Sequence, residues 1–168
     1  MNRLLLGAVA AFVAVAAQGP VAAAPIDDKT FVATAMGINL EEIQLGQLAQ
    51  MKSMNAAVKA YGQTLVKDHT DANNQAKTVA MKIGVTVPTA LSADAQKAMT
   101  DLMGRNGTDF DNAFLAHMVM GHTMAISLFN DQSMSSNADV ANFAKMNLPG
   151  LKMHLTTAQM LQMTKGNT

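Results

Sequence analysis

The chain has no cysteine and no tryptophan, and only one tyrosine and four prolines in 168 residues. Without cysteine there can be no disulfide framework and no lipid attached through an N-terminal cysteine. Histidine and methionine remain as the borderline and soft metal ligands. An excess of charge is lacking as well, with twelve basic against twelve acidic residues. A near-neutral chain without a basic stripe does not carry the footprint of nucleic-acid binding. Strand signals are weak: the β-leaning stretch is "VTVPTALS", residues 85 to 92, and Pro88 interrupts it. The ten-residue alternating strands of a membrane barrel are missing too.

What is present begins with "MNRLLLGAVAAFVAVAAQGPVAAAP". Arg3 is followed by an apolar run from Leu4 to Ala17 and then by small residues, the layout of a secretory signal peptide. The run falls short of the about 20 residues of a membrane span. Val21-Ala22-Ala23 fits the small-residue cleavage rule, which places the mature start near Ala24. The competing reading is a retained N-terminal anchor. Residues 1–23 are thus expected to be the signal and 24–168 one domain, exported to the periplasm, with no membrane span left after cleavage.

The rest reads as helices joined by turns. The first is expected from about Asp28 to Met51, capped by Asp27 or Asp28. The second runs from about Met54 to Ile83 and stops at Gly84. A short helix follows from Ser92 to Met103. A fourth starts after Thr108 and runs to about Met134; a fifth follows Asn137 to about Lys165, with Pro149 expected to kink it. Tight turns join the first two and the last two, and a long connection joins the pairs. The fold class is therefore all-α: a ferritin-like four-helix bundle with one long crossover carrying a short extra helix.

Each long helix carries an apolar stripe broken by one ionisable residue. In the first, Phe31, Ala35, Ile38, Leu45 and Ala49 skip the position held by Glu42. His69 falls in the stripe of the second, His122 in that of the fourth and His154 in that of the fifth. The run "AFLAHMVMGHTMAISLF" also contains His117, but five residues turn a helix by about 500°, which points it some 140° from His122. His117 therefore lies on the flank with Met120 and Met124, and Glu41 points about 100° away from Glu42. Glu42, His69, His122 and His154 are all near mid-helix, at one level of an antiparallel bundle. They make a candidate site for one divalent transition metal, Zn, Cu, Fe or Mn. Its hold should fade below about pH 6.5, where free imidazole takes up a proton. The rival is a metal-free Glu–His network, since a buried carboxylate needs a partner of some kind.

"FVATAMGINLEEIQLGQLA", "VKDHT", "GVTVPTALS", "FDNAFLAHMVMGH" and "LPGLKMHL", in that order, resemble the exported bacterial family called domain of unknown function 4142. The resemblance runs from about Phe31 to Leu161 and implies a ferritin-like bundle. Its motif residues fall on Glu42, Asp68-His69, Phe110-Asp111, His122 and Leu148-Pro149 with His154. His117 matches none of them. Members are often labelled outer-membrane proteins, which fits poorly with a chain lacking barrel strands and a lipidation cysteine. The chain also departs from the di-iron pattern of Glu-x-x-His on two helices. Val66, Val119 and Leu151 stand three residues before His69, His122 and His154, so a single metal is expected.

Fifteen methionines, fourteen once Met1 is removed, are far above ordinary use. Met146, Met153 and Met160 repeat every seven residues along one flank of the fifth helix. The reading taken is flexible filler for an aromatic-poor core or a sticky interface; thioether ligation of Cu(I) or Ag(I) is the other. No nucleophile–base pair stands out, so the chain is read as a metal binder rather than an enzyme. The alternatives are a structural or stress-protective envelope protein with a metal-free polar layer, and a small-ligand binder using the bundle cavity.

Overall fold

The computed structural model describes residues 26–165, so the expected signal and its cleavage site lie outside the described residues. Five helices follow one another: α1 (Asp28–Lys52), α2 (Ala56–Ile83), α3 (Ala93–Met103), α4 (Gly107–Gln132) and α5 (Ala138–Lys165). Among the described residues there is no strand. Local chemistry sets the helix ends. Asp27 caps α1, its carboxylate accepting from the backbone N–H of Lys29 and Thr30 at 3.0 Å. Asn55 caps α2 through Ala57 N–H at 2.9 Å, so that helix starts two residues later than its apolar pattern suggests. Gly84 ends it at φ +70°, a left-handed conformation that favours glycine. α5 continues as helix through Pro149.

α1 packs along α2 and α4 along α5, while α2 meets α5 and α1 meets α4. Gln132, at the end of α4, donates to the Ile26 carbonyl before α1 at 2.6 Å. Lys82, near the end of α2, pairs with Asp139 at the start of α5 at 2.6 Å. Hence α1 and α5 run one way, and α2 and α4 the other. The crossover carrying α3 must then travel the length of the bundle, as its sequence length implied. At the α1–α2 contact a Cβ on Gly46 would lie 2.6 Å from the Gly62 carbonyl oxygen, so only glycine lets the backbones come so close.

The core comes in two parts. One holds Phe31, Phe129 and Phe143, whose ring centroids are 5.0–5.9 Å apart, with Val32, Ala76 and Val140. The other holds Leu45, Tyr61, Leu65, Phe110, Phe114 and Met118. Between them on each long helix stand the polar residues: Asn39 and Glu42 on α1, His69 on α2, His122 on α4 and His154 on α5. No helix of the described residues is long and apolar enough to cross a membrane.

The methionines depart from the core-filler half of the expectation, while their exposure is compatible with the sticky-interface half. Met36 and Met118 are buried, but eleven others, Met120, Met124, Met146, Met153 and Met160 among them, are large exposed side chains. They are not core filler. Alanines fill the interior instead, among them Ala35, Ala49, Ala76, Ala125, Ala144 and Ala158. Helices that close leave little volume for further flexible side chains.

Candidate metal centre

Glu42, His69, His122 and His154 are all buried, each at most 4 % exposed. The stripes thus placed all four side chains inward. One ligand atom each from His69, His122 and His154 lies within 4.8 Å of the others. The rings are 5.2–5.7 Å apart, centroid to centroid.

The outer hydrogen bonds of the rings fix their tautomers. His69 Nδ1 is 2.9 Å from Asn39 Oδ1, an acceptor, so Nδ1 carries the proton. His122 Nδ1 donates to the Met118 carbonyl at 2.9 Å. His154 Nε2 donates to Asp68 Oδ2 at 3.1 Å. This leaves lone pairs on His69 Nε2, His122 Nε2 and His154 Nδ1. His69 Nε2 is buried with no hydrogen-bond partner. His122 Nε2 and His154 Nδ1 face each other at 3.3 Å. Two lone pairs at that distance repel unless something positive lies between them. Two nitrogens bound to one tetrahedral ion are about 3.4 Å apart, given metal–nitrogen bonds of about 2.0–2.1 Å. The facing pair therefore has the spacing of two nitrogens on one ion, the His69 ligand atom lies within 4.8 Å of both, and each ring is oriented through its other nitrogen, as ligating histidines usually are.

Protonation favours ligation as well. Burial pushes His122 down to about 4 and holds His69 well below the usual imidazole value, with the neighbouring histidines adding to both. His154 is lowered by burial too, against the pull of Asp68. All three rings are thus neutral near pH 7, the form that binds metal. The expected loss of metal below pH 6.5 is corrected accordingly: buried rings take up a competing proton only at lower pH. A cavity of about 40 Å³ adjoins the trio, lined by Asn39, Asp68, His69, Asn147 and His154 among others. It has room for a water-sized fourth ligand.

Glu42 stands beside the trio and not in it. Its Oε1 is 3.8 Å from His122 Nδ1, the nitrogen turned away from the other two rings. Burial, with repulsion from Glu41, raises its carboxyl to about 8. Near pH 7 this is a contact between two neutral groups, not an ion pair. His117 lies outside the trio, as its helical angle required, but it is not idle. Its Nε2 meets Glu41 Oε1 at 3.0 Å, both side chains being about four-fifths buried. This pair was missed, as were Asn39 and the pairing of Asp68 with His154. Asn39 stands three residues before Glu42 on the same face, a signal that was there to read. Asp68 reaches His154 across 86 residues of sequence, which no local pattern encodes.

The chain shares its fold with the protein CopM. Against CopM in its Cu(I)-bound form the TM-score is 0.69 at 15 % identity, covering 83 % of this chain and 97 % of that one. The co-crystallised Ag-bound form and the apo form each give 0.66 at 16 % identity, covering 82 % of this chain and 96 % of theirs. Identity that low shows the fold alone. A comparison with curated proteins finds no match. The family described as Domain of unknown function (DUF4142) matches residues 13–161, and the chain belongs to that family.

Proposed function

We propose that this is an exported periplasmic bundle that holds one transition-metal ion in its core through His69, His122 and His154. The observation that carries the reading is the facing of His122 Nε2 and His154 Nδ1 at 3.3 Å, with both outer nitrogens already bonded. The buried, partnerless His69 Nε2 supplies the third donor. Imidazole sets of this kind suit Zn, Cu and Fe better than Mn. Glu42, expected as a fourth ligand, is read instead as the carboxyl that gives up its proton when a cation arrives behind His122. CopM structures carrying Cu(I), Cu(II) and Ag support the metal class. The N-terminal pattern of residues 1–23, with a mature domain from 24, supports export.

The test is stoichiometric. Protein freed of metal with a chelator is titrated with Zn(II) and Cu(II), and bound metal is counted by elemental analysis. One ion per chain is expected, lost in His122→Ala and in His154→Ala but kept in His117→Ala. Wild-type protein that binds neither ion would leave the metal-free polar layer, and a structural role in the envelope, as the better account. A second reading rests on the eleven exposed methionines. Surface thioethers would take up Cu(I) or Ag(I), giving more than one ion per chain and no dependence on His122.

A further inference from the structure

A second opening lies between α1 and α4, across the bundle from the cavity beside the histidines. It is a groove of about 410 Å³, with Ile38, Leu128 and Met124 among its apolar walls. Glu42, Asp94 and the hydrogen-bonded pair Glu41–His117 also line it, and none of its lining residues is Lys or Arg. Glu42 is 4 % exposed, and its Oε2 is buried with no hydrogen-bond partner. A buried acceptor left unpaired is costly enough to call for an explanation.

Gly121 provides part of one. It sits inside α4, where glycine is about 1 kcal/mol less favourable than alanine. It serves no tight helix contact, unlike Gly46. A Cβ at Gly121 would have one heavy atom within 4 Å, Glu42 Oε1 at 3.7 Å. The missing side chain leaves the Glu42 carboxyl covered on that side by the backbone of α4 alone. The unpaired Oε2 calls for a donor, and the acidic residues around the groove favour a cationic one. Walls that are mostly apolar favour an organic cation over a hydrated metal ion, whose shell they could not hydrogen-bond.

We propose that the α1–α4 groove binds a small amphipathic amine, its ammonium donating to Glu42 Oε2 and its aliphatic part lying against Ile38, Leu128 and Met124. The groove lies on the other side of His122 from the histidine trio, and the two meet at Glu42.

The test uses metal-free protein and calorimetric titration with n-hexylamine, 1-hexanol and hexanoate at pH 7. Hexylamine should bind one per chain, hexanol more weakly, and hexanoate not measurably. Glu42→Gln keeps the side-chain shape and should weaken hexylamine by about tenfold or more while leaving hexanol unchanged. Gly121→Leu should block all binding, with helicity by circular dichroism confirming that both variants fold. Absence of hexylamine binding, equal binding of hexanoate, or full affinity in Glu42→Gln would each overturn the proposal. Because no metal is present, failure of the metal reading leaves this result untouched.

Discussion

Glu42→Gln should make the metal-free protein more stable at neutral and mildly alkaline pH. The native carboxyl titrates at about 8 and the unfolded one near 4.5. Between those values the native state keeps a proton that the unfolded chain has released. The stability tied to that proton is complete below about pH 4.5 and is lost as pH rises towards 8. The slope is about 1.4 kcal/mol per pH unit. His122 acts with the opposite sign: its native value of about 4 lies below the ordinary 6.5, so its burial stabilises above that range and loses stability as pH falls through it. The two slopes oppose each other up to about pH 6.5. Above it Glu42 acts without that opposition, and from pH 6.5 to 8 the wild type should lose about 2 kcal/mol. Glutamine has no such proton, so above about pH 6.5 the variant's curve should be nearly flat. Urea unfolding at half-unit steps of pH, with chelator present, measures this directly. A variant that falls as steeply as the wild type, or is less stable at pH 8, would refute the argument and mean that Glu42 is ionised and paired in the native state.

Saturating Zn(II) or Cu(II), at about a hundred times the dissociation constant, should raise stability by about 2.7 kcal/mol in a thermal melt, and His122→Ala should abolish the rise. Since burial lowers all three rings, that rise should persist at about pH 6.5, where free imidazole would already be half charged; its disappearance there would show the rings to be solvated. Asn39→Ala removes the acceptor that orients His69 and should weaken metal binding about 10–100-fold without changing stoichiometry, read by competition with a chromophoric chelator. Gly46→Ala, whose Cβ would meet the Gly62 carbonyl oxygen at 2.6 Å, should cost about 1–3 kcal/mol in urea unfolding. Gly37→Ala, with nothing within 4 Å, should instead stabilise by up to about 1 kcal/mol.

The stripes were legible because helix period and burial are both local. Glu42, His69, His122 and His154 each interrupt an apolar row, and each points inward. His117 was set aside on angle alone, and it lies outside the trio. What the pattern could not contain was the set of partners. Asp68 orients its ring across a helix crossing, and His122 reaches the Met118 carbonyl one turn back in its own helix by a rotamer that packing selects. Glu41 and His117 read as two flank residues because their contact joins α1 to α4 across 76 positions. The methionines misled for a physical reason. Composition suggested that an aromatic-poor core needs bulk, whereas alanine and glycine let the helices close until none is needed.

The running order of the helices bears on how the molecule assembles. α1 with α2, and α4 with α5, are hairpins of neighbouring segments whose contacts are short in sequence and quick to form. Docking one hairpin on the other is the step with long loop closure, because the crossover must span the bundle. The three histidines straddle that seam: His69 comes from the first hairpin, His122 and His154 from the second. An ion on all three would act as a latch on the docked pair. It would slow their separation and leave the formation of each hairpin unchanged.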